Sequence, residues 1–224
     1  MNQTKVIIFG GNGFVGTHIA KNLVDLNAAP VCISRTGTRP LYLQDQAWSE
    51  QVKWCQGDAS EPKMKSLENA DVVICAVGSP PVPTPNKAAW DKQFFMNGTA
   101  NINALDAAAQ AGVKRAVLIG AQIIAPLRTD KFAYYKGKRM ACEAAKRFSE
   151  HSEQQTAIVF EPSIITGKRR TTTGKTIPMN ILSPLKAISS SLVVDVEHLA
   201  SRVAKEALNT SPSEKFEIIS NRDI

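Results

Sequence analysis

No apolar run in this sequence approaches the roughly 20 residues that a membrane-spanning helix needs. The four cysteines, Cys32, Cys55, Cys75 and Cys142, stand alone, and none forms a C-x-x-C pair. They read as small buried apolar residues in a reducing compartment, not as disulfides or zinc ligands. The three histidines, His18, His151 and His198, are scattered, so no metal is expected. Aromatics make up 6%, and no basic stretch is interleaved with them, which argues against a nucleic-acid module. A glycine turn arrives by Gly10, so neither a signal peptide nor a long cleavable transit peptide is expected before the first strand. What is present is ordinary for a globular protein: 224 residues, 43% hydrophobic and 21% charged. That length suits one large domain over residues 1–224 with a well-buried core. The net charge of +7 suits anionic partners such as nucleotide phosphates or acidic lipid surfaces, or marks a solvated basic surface.

The informative stretch is Lys5 to Gly16, KVIIFGGNGFVG. An apolar run, Val6 to Phe9, predicts a strand; Gly10 to Gly16 forms a glycine-rich turn; a helical pattern runs from Thr17 to Leu26. Strand, glycine turn and helix in this order suit a dinucleotide. Gly10 permits the tight turn, Gly13 admits a phosphate to the backbone, and Gly16 lets helix and strand pack closely. Asn12, Phe14 and Val15 complete the turn, and the helix start offers free N–H groups to a pyrophosphate.

Pro30 to Ile33 reads as the second strand, followed by Ser34-Arg35-Thr36-Gly37. In a doubly wound sheet this strand end lies beside the adenosine ribose. An acid there would repel a 2′-phosphate, yet none occurs before Asp45. Ser34 and Arg35 offer a hydroxyl and a cation, so NADP(H) is favoured over NAD(H). Val52 to Gln56 reads as the third strand, and Asp58 and Ala59 follow it. An Asx-turn capping a helix around Pro62 to Leu67 is one reading of Asp58. Asp71 to Val77 is continuously apolar after its first residue, as a central parallel strand should be. Its end, Ala76-Val77-Gly78, falls where ligands bind in such sheets.

Ser79 to Pro85 carries four prolines in seven residues. It predicts a stiff loop near the cofactor mouth, a wall of a substrate cleft or a plain connection. A long helix is expected over Trp90 to Ala111, ended by Gly112, and a fifth strand over Ala116 to Ile119. Tyr134 and Lys138 then stand four apart at a helix start, on one face. Thr156 to Phe160 reads as the sixth strand. The run Lys168 to Lys175 is basic and threonine-rich, suited to closing over a substrate, meeting an anionic surface or standing solvated. A late helix running to Leu208 and a last strand over Phe216 to Ile219 complete the pattern. The fold expected is α/β: a doubly wound parallel sheet of Rossmann type with a small C-terminal substrate-side extension at 163–195.

These motifs together resemble an atypical short-chain dehydrogenase/reductase: F-G-G-N-G-F-V-G, S-R-T-G, G-D-A, Y-Y-K-G-K-R-M-A, E-P-S-I-I-T-G and V-D-V-E-H-L-A. The resemblance spans nearly the whole chain. It comes nearest to the mitochondrial branch associated with coenzyme Q biosynthesis and, more distantly, to the longer 39-kDa subunit branch of respiratory complex I. It implies that Tyr134 is the acid/base and Lys138 its partner, the ammonium and the nicotinamide's positive charge together lowering the phenol's pKa and the lysine also reaching the nicotinamide ribose. It implies that Asp58 touches the adenine amino group, with Ala59 beside it. It also implies that Pro162, Ser163 and Ile164 lie against the nicotinamide amide, although Glu161 replaces the usual arginine. Gly120-Ala121-Gln122 occupies the place of the usual catalytic serine, and His198 that of an aspartate. An apolar carbonyl or quinone-related substrate is implied, and a protein complex at a membrane surface is an open partner. The implied location is the matrix side of the mitochondrial inner membrane, with the cytoplasm as the alternative. The missing serine leaves open whether the chain catalyses or only binds nucleotide as an assembly factor.

Overall fold

The computed structural model describes residues 3–123, 125–170, 176–178 and 193–224. Much of the expected substrate-side extension, residues 171–175 and 179–192, lies outside the described residues, as does the basic run beyond Arg170.

Strand β1 (Lys5–Phe9) leads into α1 (Phe14–Asp25), then β2 (Ala29–Ser34), β3 (Lys53–Gln56) and the single-turn α2 (Met64–Leu67). Next come β4 (Val72–Cys75), α3 (Lys87–Phe94), α4 (Ala100–Gln110), β5 (Arg115–Ile119) and α5 (Ala133–His151). Strand β6 (Thr156–Glu161) is followed by the short β7 (Ile164–Thr166), β8 (Lys168–Arg170), β9 (Thr176–Pro178) and β10 (Val193–Asp195). Helix α6 (Val196–Ala207) and β11 (Phe216–Ser220) end the described fold.

Among the described residues, seven strands form one parallel sheet in the order β11-β6-β5-β4-β1-β2-β3. This is the doubly wound Rossmann-type arrangement expected. From β1 the chain steps first to β2 on one side and later to β4 on the other. Phe9 pairs with Ile33 and with Cys75, so three strand ends open one crevice at that reversal.

Alternation along β1 explains the two helical layers. Val6 and Ile8 face a core shared with Ile19 and Leu23 of α1 and Leu199 and Val203 of α6. Ile7 and Phe9 face the other core, with Leu105 of α4 and Phe148 of α5. Small residues, Ala104 and Ala108 on one helix and Ala141 and Ala145 on the other, fill much of that layer and are fully buried. Both faces of every central strand are thereby covered, which is why these strands read as unbroken apolar runs.

The structure corrects several element boundaries. The helix expected over Trp90 to Ala111 starts at Lys87 and is interrupted by a π turn at Phe95–Thr99. Asn86 caps its start, its side chain accepting from Ala89 N. The helix after Asp58 is one turn, from Met64, and Asp58 does not cap it: its Oδ1 accepts from Ser60 N and Ser60 Oγ, both at 2.8 Å. Val193 to Asp195 is strand, pairing with Ile164 to Thr166, and the late helix begins only after Asp195 caps it. Cys55 and Cys142 are half-buried, unlike Cys32 and Cys75.

One buried cation ties the sheet to α6. Arg115, 6% exposed, donates through Nε to the Glu206 carbonyl at 2.7 Å and through Nη1 to Thr156 Oγ1 at 3.2 Å. Its guanidinium also stands 3.8 Å from the Glu206 carboxylate.

Candidate active site

The glycine turn has the geometry its sequence demands. Gly10 adopts φ +83°, and a Cβ there would come within 2.9 Å of the Ala76 carbonyl group. A Cβ on Gly16 would overlap the Gly10 carbonyl oxygen, so only glycine lets α1 start this close to β1. Gly13 is the N-cap of α1, without a side-chain cap bond, and the first helical turn contains no acid. The N–H groups at this helix start suit an anion.

Ten of the expected cofactor residues line one cleft at the sheet reversal. Gly10, Asn12 and Gly13 of the glycine turn line it, together with Ser34 and Arg35 at the end of β2 and Asp58 and Ala59 after β3. Ala76, Val77 and Gly78 close the side toward β4. Glycine at four lining positions, Gly57 included, leaves space that side chains would fill, and this fits an extended dinucleotide. Asp58 shares the Arg35 end of the cleft. Hydrogen bonds from the Ser60 backbone and hydroxyl, and then the Arg35 charge, hold its carboxyl below the usual range. The Asx-type turn is thus present, and the carboxylate still borders the cleft.

Lys138 lies beside the same cleft. It is 8% exposed, and its Nζ donates to the Ile119 carbonyl at 2.7 Å. A Cβ built on Gly78 would stand 3.6 Å from that Nζ and 3.1 Å from Asn97 Oδ1. Asn97, fully buried, also accepts from Ser79 N and donates to Ser79 Oγ, which holds the chain just past β4. Burial pushes Lys138 down to about 8, with the neighbouring Cys75 opposing the shift. Tyr134, one turn earlier on α5, places its ring centroid 6.0 Å from Lys138 Nζ.

The lowering expected for the Tyr134 phenol depends on the ammonium together with the positive charge of a bound nicotinamide. The lysine does not lower the tyrosine in the free protein; burial pushes the phenol up to about 12. Desolvation disfavours the phenolate, and the ammonium is directed at the Ile119 carbonyl and weakened by its own burial. Tyr135 and Arg139, the same spacing apart, belong to the outer face: Arg139 pairs with Asp130 and Glu143.

Tyr134 opens into a second cavity of about 260 Å³. Pro81, Leu127, Phe132 and Ile164 give it an apolar lining, and Gln122, Arg128 and Ser163 supply polar groups. The proline loop is therefore a wall and not only a connection. Gln93 fixes it, donating from Nε2 to the carbonyls of Pro80 and Val82. Burial pushes the Glu161 carboxyl above its usual range, with the Arg128 charge opposing the shift.

Tyr134, Ser163 and Ile164 line the second cavity, whereas Lys138 is in the lining of neither, its Nζ lying beside Gly78 of the first. Phe14, Val15, Gly16 and Pro162 line neither. Val15 packs against the core, and Phe14 sets its ring edge-on to His18. Sequence reasoning missed Ile33, Gly57, Phe95, Met96 and Ala100, which also line the first cleft. Phe95 and Met96 belong to the π turn, and nothing in the helical periodicity signalled it. Among the described residues no group of three or more His, Cys, Asp or Glu could hold a metal, and no helix is long and apolar enough to cross a membrane.

A protein of Arabidopsis thaliana described as chloroplastic and uncharacterized is 30% identical over 216 residues, covering 95% of this chain and 68% of its own. MIOREX complex component 2 of Saccharomyces cerevisiae is 36% identical over 78 residues, which is 33% of this chain and 28% of the yeast protein. Among solved structures, the Bacillus cereus UDP-glucuronic acid 4-epimerase in complex with UDP-glucuronic acid and NAD is similar with a TM-score of 0.73. At 13% identity, covering 96% of this chain and 77% of that one, this likeness speaks to the fold. The NAD(P)H-binding family model matches residues 10–181, which supports binding of a nicotinamide dinucleotide, and the chain belongs to the NAD(P)H-binding family.

Proposed function

We propose that the chain is an NADP(H)-dependent oxidoreductase acting on an apolar carbonyl or quinone-related molecule, linked to ubiquinone biosynthesis in the mitochondrion. The observation that carries this reading is the position of Tyr134 and Lys138. Lys138 reaches Gly78 of the dinucleotide cleft, and Tyr134 opens into the apolar cavity beside it. The bound dinucleotide would supply or accept a hydride. The residues that would hold it are Gly10, Gly13, Ser34, Arg35 and Asp58, with Lys138 toward the ribose. Tyr134 is the proton donor to the substrate oxygen. A phenol near 12 is protonated at neutral pH, which suits reduction better than oxidation. Arg35 supports the choice of NADP(H), being a cation at the ribose end of the cleft. The link to ubiquinone rests on the family resemblance.

A second reading is a nucleotide-binding structural or assembly factor. The absence of serine at Gly120-Ala121-Gln122 favours it, as does the partial similarity to a yeast protein named as a complex component. The two readings separate in an assay of NADPH oxidation with quinones and aryl ketones, wild type against Tyr134→Phe. Turnover lost in the variant, with NADPH binding kept, supports the enzyme. Turnover that survives the substitution removes Tyr134 from the mechanism, and tight NADPH binding with no turnover in either protein supports the assembly factor.

A further inference from the structure

We infer that Gln122, held by Ser163, donates the hydrogen bond to the substrate oxygen that a serine would otherwise supply. The inference rests on the oxidoreductase reading of the same site.

Three observations carry it. First, the strand pairing continues past the ends of β5 and β6: Gly120 N donates to the Phe160 carbonyl at 2.7 Å, and Gln122 N to the Pro162 carbonyl at 2.9 Å. This brings Gln122 beside Ser163 although 41 residues separate them. Secondly, Ser163 Oγ donates to Gln122 Oε1 at 3.1 Å. The amide oxygen is thereby occupied, and among the described residues none accepts from Nε2. Ser163 is itself anchored, its backbone N donating to Asn221 Oδ1 at 2.7 Å. Thirdly, Gln122 and Ser163 line the cavity into which Tyr134 opens. Apart from Arg128, whose Nε donates to the Ile123 carbonyl at 2.7 Å, its remaining lining is largely apolar, so a ketone oxygen beside the exposed Gln122 would have few other donors there.

The chemistry is a carbonyl reduction. A bound reduced nicotinamide would supply the hydride and be left oxidised; the carbonyl carbon would gain it as the C=O π bond breaks toward oxygen. The oxygen takes the Tyr134 proton, and the phenolate regains one from solvent. Negative charge grows on that oxygen before the proton arrives. A neutral amide N–H placed beforehand lowers the energy of that charge more than it lowers the ground state. A quinone or aryl ketone fits this donor set: a flat apolar body against Phe132 and Leu127, and one oxygen between Gln122 and Tyr134. Ser163 is a positioning residue, acting through the amide it orients.

The test uses the full chain with 1-tetralone as probe. Three readouts are taken: NADPH affinity by fluorescence, steady-state reduction of 1-tetralone, and the side-chain amide resonance of Gln122 during titration with 1-tetralone. That resonance is assigned by its loss in Gln122→Leu. The inference expects the resonance to shift as 1-tetralone saturates. It expects Gln122→Leu to lower kcat/KM about 30-fold with NADPH affinity within about two-fold of wild type. Gln122→Ser should recover part of the loss, and Ser163→Ala should cost about five-fold, by loss of orientation. An unmoved Gln122 resonance under saturating ketone, no binding of the ketone, or wild-type kcat/KM in Gln122→Leu each overturns the inference. If wild type binds the ketone and the resonance shifts but nothing turns over, the oxidoreductase reading fails while Gln122 stands as the ligand donor.

Discussion

Gly98 and Gly137 meet backbone to backbone where the π turn after α3 crosses α5. A Cβ on Gly98 would lie 2.9 Å from Gly137 Cα, and one on Gly137 2.9 Å from Gly98 N. Lys138, the next residue, thereby brings its Nζ beside Gly78. Because the obstacle is backbone, it cannot swing aside as a side chain would. Gly137→Ala should cost about 2 kcal/mol of stability through overpacking. Gly112→Ala is the contrast. Its site is open, so only the strain of its φ of +73° acts, for about 1 kcal/mol. Urea denaturation midpoints of the two variants measure the difference, and equal losses would contradict the crossing argument.

Arg35 lines the first cleft with Asp58 close by, and the proposed function puts the adenosine ribose beside it. Its guanidinium is the cation there that could attract a 2′-phosphate, which NADH lacks. Arg35→Ala should weaken NADPH about 30-fold and NADH less than about three-fold, the size of a charge-assisted hydrogen bond. Calorimetric titration with both nucleotides decides this, and equal weakening would refute the 2′-phosphate assignment.

Lys138 couples stability to pH. Its folded-state value is about 8 against an ordinary 10.5, so the unfolded chain binds more protons between these values. The folded state therefore gains stability as pH rises through this window, and the full penalty applies below about pH 8. Lys138→Met removes a penalty of about 3 kcal/mol and a hydrogen bond worth about 1 kcal/mol. The variant should be more stable than wild type by about 2 kcal/mol at pH 7. The gap should shrink as pH rises from about 8 toward 10.5. Thermal melts of both proteins across this range provide the check.

Arg115 is buried and lies against Glu206 and Thr156. Arg115→Met fills the space but leaves the largely buried Glu206 carboxylate without its inner partner, for a loss of about 3 kcal/mol. The double variant Arg115→Met with Glu206→Gln should recover part of it. A double-mutant cycle in urea measures the coupling, and strictly additive losses would show that the two side chains act independently.

Much of the fold was legible because its rules are local. The glycine turn needs a positive φ at Gly10 and no Cβ at Gly16, and few other residues meet those demands. Parallel strands covered on both faces read as apolar runs, from Val6 to Phe9 and again from Val72 to Cys75. The i,i+4 spacing of Tyr134 and Lys138 follows from helical pitch alone. These features determined a doubly wound sheet and a dinucleotide cleft. The π turn at Phe95–Thr99 packs its Gly98 on Gly137, and Ser163 pairs with Gln122; both contacts join chain segments far apart in sequence. No local pattern contains them. The ionisation of Tyr134 and Lys138 was likewise decided by the fold. Desolvation sums over every atom packed around a group, and only the tertiary structure assembles those atoms.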